Sequence, residues 1–321
     1  MFIRPFGYER AGSLADACEM LRERGEAAKV IAGGQSLLPM VNLGLVQPEV
    51  IIDISHAGRD DDGAAARGGG AVPGGAVPGG GRSGSDRAVA ARSREIGGGD
   101  GYLTIGALVS HARLAGDPAV ASAQPLLAAA AARIGNPRVR SRGTLGGSLA
   151  HSDPAAELPL AMVALGASYR VTDGRSARDV RAEEFHLSFL TSALAEDELV
   201  VSATVPALGP GWGWSFQEVA RREGDFALAA VAVLVRMAGG IVAEARVAVG
   251  GAADRPLRLA DVEAALAGAS PGEIAGRAGP LRGLSPVSDI SASAGHRAHL
   301  CAVLVRRALD EACRRSQEAT A

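Results

Sequence analysis

Thr144-Leu145-Gly146-Gly147-Ser148-Leu149-Ala150-His151-Ser152-Asp153-Pro154-Ala155-Ala156-Glu157 sets a glycine pair, small hydroxyls, an imidazole and two carboxylates side by side. The glycines read as a tight turn. Asp153 and Pro154 read as the N-cap and first position of a helix running to Leu165. Such a segment offers backbone N–H groups and a positive helix end to an anion. A second pair, Ala32-Gly33-Gly34-Gln35-Ser36-Leu37, follows the apolar run Lys29-Val30-Ile31-Ala32, which reads as a buried strand. A glycine turn directly after a strand lets the backbone come close to a phosphate. Two such turns, each with consecutive N–H groups and a hydroxyl, suit an extended dinucleotide gripped at its pyrophosphate.

Composition narrows the alternatives. The chain has 321 residues, 47% hydrophobic and 21% charged, a soluble globular profile with room for two cores. Its net charge of −2 gives no general attraction to nucleic acid or to an anionic membrane. Lys29 is the only lysine and follows Ala28, so no Gly-Lys-Ser/Thr phosphate loop is available. Cys18, Cys301 and Cys313 are too few and too scattered for a metal knot or a disulfide framework, which points to a reducing compartment. Met1-Phe2-Ile3-Arg4-Pro5 does not read as a signal peptide. No apolar run is long enough to span a bilayer, so a cytoplasmic protein is expected.

Along the chain, Ser13-Leu14-Ala15-Asp16 resembles a capping box and predicts a helix over 13–24, closed by Gly25. Val50-Ile51-Ile52-Asp53-Ile54 reads as the next strand. From about 60 to 91 the sequence is dominated by glycine and near-repeats of Gly-Gly-Ala-Val-Pro-Gly-Gly, and it reads as a flexible surface insertion. Tyr102 to Gly106 predicts a strand, Ala107 to Leu114 a helix, and Pro125 to Ile134 an alanine-rich helix ending before Asn136-Pro137. Arg138, Arg140 and Arg142 alternate with Val139 and Ser141. On an extended segment they would form either a solvated edge or a basic face toward a phosphate. Strands are expected at 168–172 and 198–205, with 185–194 as a turn-rich junction between domains. Beyond it, Trp214 to Ala220, Ala229 to Met237 and Ile241 to Val249 read as antiparallel strands, with Gly239-Gly240 as a hairpin turn. Helices at 258–267 and 297–315 complete an α+β second domain.

Several chemistries do not fit. Gly146-Gly147-Ser148-Leu149-Ala150 lacks the last glycine of a nucleophile elbow, and His151 is too close in sequence to serve as its base. His151, Ser152 and Asp153 on adjacent positions cannot converge on a metal as separated ligands do. No Gly-x-Gly-x-x-Gly follows a strand, which argues against a Rossmann site.

Ala32-Gly33-Gly34-Gln35-Ser36-Leu37, Thr144-Leu145-Gly146-Gly147-Ser148 and Asp153-Pro154-Ala155-Ala156-Glu157, in this order, resemble the FAD-binding medium subunits of the molybdenum hydroxylases. This is the xanthine dehydrogenase family, and the likeness is closest to the aerobic carbon monoxide dehydrogenase flavoprotein. Trp214 to Ala227 resembles the opening of that family's C-terminal flavoprotein domain. The resemblance implies an α+β chain with two domains. Residues 1–178 would form a two-part FAD-binding domain of the vanillyl-alcohol-oxidase (PCMH) type, and 179–321 an α+β carbon monoxide dehydrogenase flavoprotein C-terminal domain.

It also implies roles. Lys29, Val30, Ile31, Ala32, Gly33, Gly34, Gln35, Ser36 and Leu37 would line the pyrophosphate and adenosine side of FAD. Thr144, Leu145, Gly146, Gly147 and Ser148 would grip the pyrophosphate and ribityl chain from the other side. Asp153 and Glu157 would bond ribityl or flavin groups, with Ile134, Leu190 and Leu194 as apolar neighbours. Leu190 falls where the family often has a tyrosine, and Gln217 where xanthine dehydrogenases have a lysine, which bears on the flavin potential. The insertion has no cysteine, so it is not the iron–sulfur-carrying insertion of the hydroxybenzoyl-CoA reductase branch.

The function implied is that of an electron-transfer subunit. A large molybdopterin-binding subunit would oxidise the substrate, a small two-iron two-sulfur subunit would relay electrons, and FAD here would reduce an external acceptor. The assembly implied is a dimer of heterotrimers, with no catalytic acid or base and no metal on this chain. The alternatives are a free-standing FAD-dependent oxidase and a non-enzymatic assembly homologue.

Overall fold

The computed structural model describes residues 4–57, 93–99 and 101–319; the insertion expected at about 60–91 lies outside them. Three sheets organise the chain. The first is small and parallel, with β1 (Gly7–Arg10), β2 (Ala28–Ile31) and β3 (Val50–Asp53) in the order β1-β3-β2. Its covering helix α1 (Leu14–Arg24) starts as its sequence requires. Ser13 Oγ accepts the Asp16 N–H at 3.0 Å, and the Asp16 carboxylate accepts the Gly12 N–H. Leu14, Ala17, Cys18 and Leu21 then fall on one face and are buried. The short α2 (Leu37–Asn42) follows the first glycine pair.

The second sheet is antiparallel, with β4 (Ile96–Gly99), β5 (Tyr102–Gly106), β6 (Ser168–Thr172), β7 (Ala177–Arg181) and β10 (Leu199–Pro206) in the order β4-β5-β10-β6-β7. Residues 185–194, expected to be the junction, instead hold part of a one-turn helix and a hairpin, β8 (His186–Ser188) with β9 (Thr191–Ser192). After this hairpin the chain returns to the middle of the second sheet as β10, which pairs with β5 on one side and β6 on the other. The boundary expected at 178/179 falls inside β7, and we take the change of unit to follow β10.

Between β5 and β6 lie α3 (His111–Gly116), α4 (Pro118–Ala123), α5 (Pro125–Arg133), α6 (Pro137–Arg142), α7 (Leu145–His151) and α8 (Glu157–Leu165). Three expectations are corrected here. The helix expected from Ala107 starts only at His111. The Ala107 and Leu108 N–H groups are taken by the Val201 and Ser93 carbonyls, and Ser110 supplies the cap. Arg138, Arg140 and Arg142 are helical, not extended. Asn136 Oδ1 accepts the Arg138 and Val139 N–H groups and Pro137 opens α6, so Asn-Pro marks a start as well as a stop. The helix expected from Asp153 begins at Glu157, because Asp153 Oδ1 takes the Ala155 N–H in a local turn.

Every residue of α8 is buried, as its apolar composition all round requires. One side meets the second sheet. The other meets the third, formed by β11 (Trp212–Ala220), β12 (Ala227–Ala238), β13 (Ile241–Gly250) and β14 (Leu257–Arg258). Strand alternation separates two cores. Ala230, Ala232 and Leu234 face α8, while Val231, Val233 and Val235 face the long α12 (Ala294–Glu318). The one-turn helix before β8 is α9 (Ala182–Phe185); α10 (Ala260–Leu266) packs on β13, and α11 (Ile274–Arg277) packs on α10 and α12. The strands expected from Trp214, Ala229 and Ile241 are present. Gly239 and Gly240 both have positive φ in their hairpin.

Candidate cofactor-binding site

The two glycine segments, over a hundred residues apart in sequence, touch. A Cβ on Gly33 would lie 2.1 Å from the Arg142 carbonyl oxygen and 2.9 Å from Gly143 Cα. Only a glycine permits that approach. Around it opens a cleft of about 610 Å³, lined by Ile31, Ala32 and Gly33 on one side and by Ser141, Arg142 and Thr144 on the other. Gly34 holds φ +70°. The backbone N–H groups of Gly33, Gly34, Gln35 and Ser36 donate to no acceptor among the described residues. The first glycine segment is therefore a run of unclaimed donors, the arrangement that binds anions. Leu37 opens α2, Lys29 is exposed, and Val30 packs partly into the small core of α1 and the first sheet.

The second segment differs from a glycine turn. Thr144 is the N-cap of α7, its Oγ1 accepting the Gly147 N–H at 3.2 Å. The Leu145 and Gly146 N–H groups go to the Val109 and Ala107 carbonyls, at 3.0 and 2.7 Å. Gly146 is thus a packing glycine: a Cβ there would lie 2.6 Å from Ala107 Cβ. Gly147 is exposed, with Ser148 beside it, and a Cβ there would lie 2.9 Å from Thr144 Oγ1. Leu145 is fully buried in the core. What this segment can offer a ligand is the exchangeable Thr144–Gly147 bond and the Ser148 hydroxyl.

Asp153, Glu157, Ile134, Leu190 and Leu194 do not line the cleft. They lie toward the second unit. Ile134 follows α5 in the core, and the Arg140 guanidinium donates to the carbonyls of Ile134 and Gly135 at 2.9 and 3.0 Å. β9 packs against α7, so Leu190, at the tip of the hairpin with φ +53°, belongs to the same region, and Leu194 packs on the core there. Pro154 is bound by the second unit: its carbonyl accepts the Gly251 N–H at 2.8 Å.

Electrostatics distinguish the two ends. At the cleft, burial alone would raise the Asp53 carboxyl. Hydrogen bonds from Tyr8 and Ser55, with Arg10 nearby, outweigh it and hold Asp53 below its ordinary value. At the other end burial pushes Glu157 up to about 7, helped by the like charges of Glu218 and Asp153. Burial also lowers His151, with Asp153 opposing.

Sequence reasoning missed two histidines. His111 Nε2 lies 2.9 Å from the Thr144 carbonyl and so carries the proton, while burial lowers the ring to about 4 and keeps it neutral. His186 Nδ1 meets Ser152 Oγ, and its Nε2 meets the Tyr169 hydroxyl at 3.2 Å, in a fully buried network. Neither has a sequence signal, since each acts on a segment remote in the chain. Cleft residue Arg113 was also missed as a ligand group, and Arg142, weighed in sequence as part of a basic face toward a phosphate, lines the cleft from a helix and not from an extended segment. The three cysteines are buried, and burial raises their thiols to about 11 or 12, so they are inert packing residues. Among the described residues no His/Cys/Asp/Glu cluster could hold a metal, and no helix is long and apolar enough to cross a membrane.

Known proteins match most of the chain. Residues 4–59 and 91–208 match the FAD binding domain in molybdopterin dehydrogenase, and residues 214–312 match the CO dehydrogenase flavoprotein C-terminal domain. The nicotine 6-hydroxylase medium subunit of Paenarthrobacter nicotinovorans is 38% identical over 95% of this chain and 96% of that protein. The carbon monoxide dehydrogenase medium chain of Hydrogenophaga pseudoflava is 31% identical over 96% of each. Among solved structures, carbon monoxide dehydrogenase from Hydrogenophaga pseudoflava superposes with a TM-score of 0.84 at 31% identity, covering 98% of this chain and 99% of that one. Quinoline 2-oxidoreductase from Pseudomonas putida 86 gives 0.81 at 30% identity over the full length of both.

Proposed function

The chain belongs to the FAD-binding medium subunits of the molybdenum hydroxylases, and from that membership we infer how its own residues serve the cofactor. It is an FAD-dependent subunit of an oxidoreductase complex with other chains. When bound, FAD supplies two-electron redox chemistry and can pass electrons on singly. The observation that carries the assignment of the site is the Gly33–Arg142 contact, which unites the unclaimed N–H run at 33–36 with the segment carrying Thr144 and Ser148.

In this reading Gly33, Gly34, Gln35 and Ser36 donate to the pyrophosphate, while Lys29 to Ala32 and Leu37 form the walls beside it. Arg142 and Arg113 add positive charge at the cleft. Thr144, Gly147 and Ser148 reach the pyrophosphate and ribityl chain, and Leu145 and Gly146 hold the α7 end in place by packing. Asp153 and Glu157 face ribityl or flavin groups, and Ile134, Leu190 and Leu194 supply the apolar surroundings that exclude water. The chain contributes no acid or base to substrate oxidation.

The partners in this reading are a large molybdopterin-binding subunit and a small two-iron two-sulfur subunit, assembled as a dimer of heterotrimers. Electrons arrive from the small subunit and leave to an external acceptor. Purification of the chain from flavin-rich cells, alone and co-expressed with its neighbouring genes, tests this. Yellow protein that acquires a molybdenum chain and an iron–sulfur chain is expected. Colourless protein overturns the reading.

A further inference from the structure

Behind the cleft wall, the second segment rests on an imidazole. His111 opens α3, is 6% exposed and does not itself line the cleft, although Ser110 before it and Thr144 across from it do. It takes two successive carbonyls of that segment. Its backbone N–H donates to Gly143 O at 3.0 Å, and its ring Nε2 donates to Thr144 O at 2.9 Å. The backbone bond belongs to a short antiparallel bridge of Ser110 with Thr144, completed by the Leu145 N–H on the Val109 carbonyl. The ring bond is additional to it. Thr144 O already accepts the Ser148 N–H at 3.0 Å, the first bond of α7, so the imidazole adds a tie that neither the bridge nor the helix requires.

The same ring sets how far the segment can retreat from the first glycine pair. A Cβ on Gly143 would lie 2.7 Å from both Cε1 and Nδ1 of His111. Gly143 has φ −57° and ψ 144°, a conformation open to any residue, so it is the imidazole and not the backbone that demands a glycine here. On the other flank, a Cβ on Gly33 would lie 2.9 Å from Gly143 Cα. Gly143 is thus held between the His111 ring and Gly33, in van der Waals contact with each. Nδ1, close to where that Cβ would stand, has no hydrogen-bond partner among the described residues, and with the proton on Nε2 it presents a bare nitrogen to the glycine.

We propose that His111 is a positioning residue of the cofactor cleft: by its bond to Thr144 and its contact with Gly143 it holds the second segment at the distance at which Gly33 closes on it, and so sets both walls before a ligand arrives. The proposal rests on the reading of this cleft as the pyrophosphate site of FAD. A ligand gripped from two segments remote in sequence binds tightly when both are already in place, and a segment that has to be drawn in costs affinity. His111 acts through Gly143 and Thr144 and is not itself a ligand group.

His111→Phe and His111→Gln in the full chain test this. Phenylalanine keeps a ring against Gly143 but has no donor for Thr144, whose carbonyl retains Ser148, and it removes a buried nitrogen that had no partner. The urea midpoint of His111→Phe is expected to be unchanged or higher, while FAD affinity, read by fluorescence, falls about tenfold, the upper end of what one hydrogen bond contributes. Glutamine can donate to Thr144, and His111→Gln is expected to return to within about threefold of the wild-type affinity. In flavin-free chain the Gly33 and Gly34 amide NMR signals are expected to move in His111→Phe and to move back in His111→Gln. Nitrogen NMR of the wild-type histidines should find His111 protonated at Nε2 and bare at Nδ1. FAD affinity that merely follows the urea midpoint through the series, or Gly33 and Gly34 signals indifferent to His111→Phe, makes His111 an ordinary core residue and overturns the proposal. The opposite tautomer overturns it too, and that measurement needs no variant to fold. Gly33 and Gly34 signals that follow the series in a chain that takes up no FAD leave the positioning role standing and overturn the cofactor reading instead.

Discussion

His186 Nδ1 lies 2.9 Å from Ser152 Oγ, and this bond fixes the turn between α7 and α8. Ser152 sits at φ +54° with no exposure, and Leu190 at the tip of the neighbouring hairpin is the other described non-glycine residue with positive φ. Both strained positions thus lie at the end of the site assigned to the ring. His186→Leu would leave the Ser152 and Tyr169 hydroxyls buried and unpaired. We expect a loss of about 2–4 kcal/mol of stability, read by urea denaturation, and at least a tenfold weaker grip on FAD, read by fluorescence. Unchanged FAD affinity in a folded variant would separate the clamp from the site.

Gly33 and Gly34 answer differently to alanine. At Gly33 the new methyl meets the Arg142 carbonyl, so the two loops must separate and FAD retention should be lost, with the far-ultraviolet circular dichroism unchanged. At Gly34 the penalty is backbone strain of about 1 kcal/mol from φ +70° plus crowding of the movable Ile31 and Leu38 side-chain ends, 3.0 and 3.1 Å from the new methyl, with weaker but measurable FAD binding. Equal retention in both variants contradicts the cleft assignment.

Gly146 and Gly147 should separate packing from binding. Gly146→Ala overpacks Ala107 and should cost about 1–3 kcal/mol in thermal or urea unfolding. At exposed Gly147 a Cβ would lie 2.9 Å from Thr144 Oγ1, so Gly147→Leu displaces the cap hydroxyl and should leave a folded chain that no longer holds FAD. A folded Gly147→Leu protein with normal flavin content would show that the ligand does not touch this turn.

Stability should rise between about pH 4.5 and 6.5. His111 and His186 fall from 6.5 to about 4 on folding, so the unfolded chain binds more protons in that window and acid destabilises the fold. Each shift is worth up to about 3 kcal/mol. Glu157 acts in the opposite sense. Its stabilising contribution is full below 4.5 and is lost as pH rises to about 7. Two histidines outweigh one carboxyl, so the urea midpoint should climb through this range and flatten near neutrality. In His186→Leu the climb should be shallower; an unchanged slope would mean that His186 is not held neutral by the fold.

Much of this molecule was legible in its sequence where the signal is local. Ser13 with Asp16 caps α1 as its spelling suggests, and the three long strands after Trp214 announce themselves by alternation and by Gly239-Gly240. Both glycine segments stood out in the sequence as special positions, and the structure brings the first against the residues just before the second through Gly33 and Arg142. What could not be read is long-range. Nothing near Ser152 says that an imidazole thirty-four positions later will hold it in the left-handed region, and so Asp153 was taken for a helix cap. Nothing in 199–206 says that this strand belongs between β5 and β6 instead of with the sheet that follows. Gly146 was read as a ligand glycine, whereas its need for a missing Cβ comes from Ala107, on a strand end far back in the chain.

The central place of β10 has a consequence for synthesis. β5 and β6 are neighbours only through β10, so each keeps an open hydrogen-bonding edge until residue 206 has left the ribosome. The nascent chain cannot complete its first large unit in the order in which it is made, and a β-strand edge left waiting is a template for wrong pairings. Release of the flavin-binding half for folding is therefore timed by the last strand of that half, after nearly two-thirds of the polypeptide has been translated.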